Sequence, residues 1–67
     1  MNTDEVAYMK DARRSLVRQR NHLARRIAEV ELAPIAMADD LTKILVAIEA
    51  VDRTLADAGH PHFDADI

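Results

Sequence analysis

Four residues near the C-terminus, His60, His62, Asp64 and Asp66, alternate imidazole with carboxylate. Those side chains suit zinc or nickel. A metal site also needs a rigid frame, and this run follows Gly59 and contains Pro61. The expectation is a short acidic tail, residues 60–67, with no metal. For nucleophilic chemistry the chain offers one serine, Ser15, and the threonines Thr3, Thr42 and Thr54. None has a histidine three or four residues away, the spacing that would bring a base onto the same helical face. A single glycine excludes a glycine-rich phosphate loop, and the absence of cysteine excludes thiolate chemistry and disulfides. The carboxylate pairs Asp39/Asp40 and Asp64/Asp66 sit where helix ends and solvent explain them. The expected reading is a non-enzyme without a cofactor.

Basic residues form the other constellation. Between Met9 and Glu29 there are seven, Lys10, Arg13, Arg14, Arg18, Arg20, Arg25 and Arg26, against Asp11 and Glu29. From Asp39 onward seven acids face only Lys43 and Arg53. Mutual attraction of two oppositely charged helices is the plainer consequence. At about 100° per residue, Arg14, Arg18 and Arg25 fall on one outward ridge with Asn21 and His22 beside them. Such a ridge can contact nucleic-acid phosphates. Against this stand the net charge of −3 and the lack of an aromatic residue in the ridge to stack on bases. RNA or DNA binding through Arg14, Arg18 and Arg25 therefore ranks second to a solvated face.

These residues need elements to hold them. Nothing between Asn2 and Ala33 breaks a helix, and Asn2 with Glu5 three residues on has capping-box spacing. Pro34 is expected to end the first helix near Leu32, although it can instead open the second a turn early. Gly59 and Pro61 stop the second helix. The expected spans are about 3–32 and about 38–58, a helical hairpin over residues 1–59 and a short acidic tail. Met9, Leu16, Leu23 and Val30 recur every seventh position. Met37, Leu41, Ile44, Ile48, Val51, Leu55 and Ala58 alternate steps of four and three. Both patterns are helical seams, and no segment alternates with the period of a strand. The fold class is all-α: an antiparallel hairpin.

Arg13 and Arg20 interrupt the apolar stripe of the first helix, as Asp52 interrupts that of the second. With a corner near residues 34–36, residues whose numbers add to about 71 or 72 come level. Arg20 and Asp52 satisfy that rule, which predicts a structural ion pair between them. Arg13 is expected to snorkel at the seam edge. By the same rule Phe63 of the tail comes level with Tyr8 and is expected to fold onto it.

The chain has 67 residues, 49% of them hydrophobic, but 12 are alanine and only Tyr8 and Phe63 are aromatic. So small a core per chain, with Val17, Leu45 and Val46 left over on the flanks, predicts pairing of hairpins into a four-helix bundle. The longest uncharged stretches, Leu32 to Ala38 and Ile44 to Ile48, are too short to span a membrane, and the acidic, polar start is unlike a signal peptide. A cytoplasmic protein is expected. The outline resembles the small bacterial helical-hairpin regulators of the dimeric Rop-type RNA-binding bundle. The resemblance is one of architecture, and no residue is carried over from it. The functional expectation is a self-associating, homodimeric interaction module or regulatory subunit docking on a protein partner of unknown identity.

Overall fold

The computed structural model describes residues 1–61, which form two helices, α1 (Thr3–Glu29) and α2 (Ile35–Asp57), packed against each other as a hairpin. The molecule is elongated, 45 × 20 × 16 Å. Its radius of gyration of 13.7 Å exceeds the roughly 11 Å expected of a compact chain this long. Two layers one helix wide cannot make a sphere, so every seam residue lies close to solvent on at least one side.

At the start of α1 the Asn2 side chain accepts the Glu5 backbone N–H at 2.8 Å, and Asp4 and Glu5 occupy the first turn. Two donors that a helix start leaves unpaired are thus satisfied or offset by charge. The end of α1 departs from the expected boundary near Leu32. Val30 is already extended, at φ −103° and ψ 145°, with only a long 3.4 Å bond from its N–H to the Ile27 carbonyl. α2 begins three residues earlier than position 38. Pro34 is its N-cap, and its carbonyl accepts from Met37 N–H at 3.0 Å. Proline suits the start of a helix because its fixed φ is already helical and no N–H is lost there. It also pushes Ala33 out of the helical region. The corner is therefore residues 30–34, centred near residue 32.

α2 closes with both bonds of a Schellman motif. His60 N–H reaches the Leu55 carbonyl at 2.8 Å and Gly59 N–H the Ala56 carbonyl at 3.0 Å. Gly59 takes φ 84°, a conformation that costs a residue with a Cβ about 1–2 kcal/mol.

The shifted corner resets the register. Level residues have numbers adding to about 65, one heptad less than the sequence suggested. Because the shift is a whole heptad, both helices keep the same faces inward. The buried apolar residues among those described are Val6, Ile48 and Leu55, and only Leu55 is fully enclosed. All lie in the half of the hairpin remote from the corner. Towards the corner, Leu23, Ile27, Met37, Leu41 and Ile44 are only half-buried.

Candidate interaction surface

Among the described residues the buried charged group is Arg13, and it pairs with Asp52 across the seam. Arg13 Nε donates to Asp52 Oδ1 at 2.6 Å and Nη2 to Oδ2 at 3.4 Å, a two-pronged contact between the helices. The side chains are 9% and 35% exposed, so the guanidinium is enclosed while the carboxylate keeps one side towards water. Arg20 was the partner expected for Asp52; the residue the structure shows against Asp52 is Arg13. Arg13 and Arg20 stand one heptad apart on the same stripe, and the register brings Arg13 level with Asp52. Arg20 lies about 10 Å further towards the corner, where its Nε donates to Asn21 Oδ1 at 3.2 Å. The signal that could have found Arg13 was Pro34: placed as the first cap of α2, it moves the corner centre to residue 32. Among the described residues no buried side-chain polar atom lacks a hydrogen-bond partner.

The hairpin has two broad sides. On one, Gln19, His22 and Leu23 of α1 meet Asp40, Lys43 and Ile44 of α2 along an open groove of about 420 Å³. Its accessible lining is more apolar than polar, with Leu23 and Ile44 among the residues that form it. At 100° per residue, the opposite side receives Lys10, Val17, Asn21, Ala24 and Ala28 from α1 and Ala38, Leu41, Thr42, Leu45, Glu49 and Asp52 from α2. This side mixes apolar and charged residues, and Leu45 is 47% exposed on it. Val46, also exposed, stands about 180° from Leu55 and belongs to neither side. At the corner Val30, Leu32 and Ile35 are exposed, Leu32 at 90% and Ile35 at 79%.

Of the candidate nucleic-acid ridge, Arg14, Arg18 and Arg25 are all exposed. Arg14 Nη1 is bound to Asp11 Oδ1 at 2.9 Å, which offsets its charge locally. On α2, Arg53 and Glu49 pair at 2.6 Å. Both pairs are solvent-exposed, so each contributes at most a few tenths of a kcal/mol. The hydroxyls of Thr42 and Thr54 donate to the carbonyls of Ala38 and Ala50, one turn back, and so serve the helix backbone. Among the described residues no three His, Cys, Asp or Glu residues come together as a metal-binding group. His60 lines a shallow depression with Val6 and Lys10 at the open end of the hairpin. His62, Asp64 and Asp66 lie outside the described residues, as does Phe63, the expected partner of Tyr8; Tyr8 itself is exposed. No helix among the described residues is long and apolar enough to cross a membrane.

Compared with known proteins, the chain matches no family model, no curated protein and no solved structure.

Proposed function

We propose that this chain is a non-enzymatic interaction module: a helical hairpin that pairs with a second copy and, as a dimer, docks on a protein partner as a small regulatory subunit. The observation that carries the reading is the mismatch between seam and cover. Three apolar side chains are buried among the described residues, while Leu45, Val46, Leu32 and Ile35 stand in water. Burying a leucine or isoleucine side chain contributes about 1.5–3 kcal/mol, so a hairpin that leaves several exposed gains strongly from any surface that covers them. Sedimentation equilibrium on the full chain tests self-association. The expected result is a folded species of twice 7.5 kDa at micromolar concentration, with a melting midpoint that rises with concentration. A well-folded monomer throughout would reject the reading.

The second reading is nucleic-acid binding by the outer face of α1, favoured by the exposure of Arg18 and Arg25 two turns apart with no ion pair among the described residues. Its test is a mobility-shift assay with RNA and DNA at two salt concentrations. Phosphate contacts require binding that weakens steeply with salt; absence of binding at low salt would remove this reading.

A further inference from the structure

We propose that the second copy stacks on the grooved side of the hairpin, over the corner half, with α2 antiparallel to α2 and Asp40 of each chain paired with Lys43 of the other. This rests on the self-association proposed above and specifies its surface and symmetry.

Three observations select this side. The first is the groove itself, about 420 Å³ and lined more by apolar than by polar surface, with the half-buried Leu23 and Ile44 among its residues. Both belong to the seam in its less covered half, so a lid over them removes further apolar surface from water. The second is a pair of charges without partners. Asp40 and Lys43 flank the groove three residues apart, the spacing at which Asp11 and Arg14 join at 2.9 Å. Among the described residues, neither Asp40 nor Lys43 makes a hydrogen bond or an ion pair. The third is the row they stand in. Ala36, Asp40, Lys43 and Ala47 follow steps of four, three and four, and at 100° per residue they fall within about 60° of one another.

That row is complementary to itself when reversed. With residues of α2 whose numbers add to about 83 set opposite one another, Asp40 meets Lys43 of the second copy, Lys43 meets its Asp40, and Ala36 meets its Ala47. The charges at the centre of the row are satisfied twice, and the alanines at its ends let the helices come close.

The other way to stack two like sides is about an axis along the helices, which keeps every residue at its own level. Lys43 would then face the stretch of α1 around His22, residues 18–26, which holds four arginines and no acid. Charge therefore selects the axis across the helices. That axis also sets α1 on α1, but Arg14, Arg18 and Arg25 lie about 100–140° around the helix from Gln19, the groove residue, and so face solvent rather than one another. Arg26 does lie on the grooved side; it comes level with residue 21 of the second copy, where the side-chain carbonyl of Gln19 is an acceptor. Glu5, also on this side, is beyond the overlap.

Charge reversal in the full chain tests this by sedimentation equilibrium, with circular dichroism confirming that each variant is helical. Asp40→Lys or Lys43→Asp alone sets like charges opposite one another twice and is expected to weaken the dimer about tenfold or more. Asp40→Lys combined with Lys43→Asp rebuilds both pairs with the signs exchanged and is expected to recover the dimer to within about threefold of the wild type. Leu45→Lys, on the opposite side, is expected to leave it within about twofold. Single reversals that leave the dimer intact, or a Leu45→Lys variant that dissociates it, would overturn the surface. A double variant as weak as the single ones would overturn the symmetry. None of these results touches self-association, whereas a monomeric wild type would remove self-association itself.

Discussion

Leu55 and Leu41 occupy the same line of α2, two heptads apart. Leu55 is 1% exposed and Leu41 only half-buried. The contrast extends to the whole of each end. At the open end, Asn2 caps α1, the Gly59 motif caps α2, and Val6, Arg13, Ile48 and Leu55 are buried. At the corner end α1 stops on a long 3.4 Å bond, α2 starts on Pro34 with no side-chain cap and no acid in its first turn, and Val30, Leu32 and Ile35 are in water. A hairpin covalently closed at one end is commonly expected to be most ordered there. Here the covalent closure sits at the end with fewer caps and less burial. Local stability follows buried contacts and satisfied helix ends rather than chain connectivity, and the corner half is the part that has most to gain from a partner.

The sharpest way to break the contrast is to truncate the two leucines. Leu55→Ala is expected to cost about 3–5 kcal/mol, enough to unfold much of a chain whose total stability is on the order of 3–10 kcal/mol. Leu41→Ala, half-exposed in the single hairpin, is expected to cost about 1–2 kcal/mol at low protein concentration. Urea unfolding of both variants checks the order. Equal costs at low concentration would mean that the two halves are equally closed.

The ion pair comes next. Removing one partner strands the other, so Asp52→Leu or Arg13→Met alone is expected to cost about 1–3 kcal/mol, and the double variant less than the two together. The figure is held below that of a dry pair because the Asp52 side chain is 35% exposed. The parallel cycle with Arg20→Met and Asp52→Leu is expected to show coupling below about 0.5 kcal/mol, since those side chains start from levels about 10 Å apart. A larger coupling through Arg20 than through Arg13 would restore the register read from the sequence.

The smallest effects concern the caps of the open end. Gly59→Ala meets no atom within 4 Å, so its cost, about 1 kcal/mol, is purely that of holding a Cβ at φ 84°. Asn2→Ala is expected to cost about 0.5–1 kcal/mol through the lost bond to Glu5 N–H. Thermal melts read both. If Pro34→Ala costs more than either, the corner is held better than its hydrogen bonds indicate.

Which parts of this fold the sequence announced follows from how local each signal is. The Asn2 cap and the Gly59 stop depend on residues within one turn and were legible from spacing alone. The two seams were legible because a 3.6-residue period survives any choice of partner. The register was not, because it depends on where the corner is centred. Pro34 is compatible with ending one helix or with starting the next, and the difference is a heptad. That single ambiguity hid Arg13 as a residue level with Asp52. The uneven burial was also hidden: Leu41 and Leu55 are the same residue on the same stripe, and only the assembled hairpin shows which of them is enclosed. Leu45 and Val17 as surplus flank residues could be read from periodicity, but not that they share one side while Val46 stands apart.

Amide hydrogen exchange along α2 at two protein concentrations tests the contrast most directly, because it reads both ends of one helix in the same sample. At low concentration the amides around Leu41 and Ile44 are expected to exchange at least tenfold faster than those around Ile48 and Val51. At high concentration the gap is expected to shrink as a second copy covers the corner half. Uniform protection along α2 at both concentrations would contradict the account.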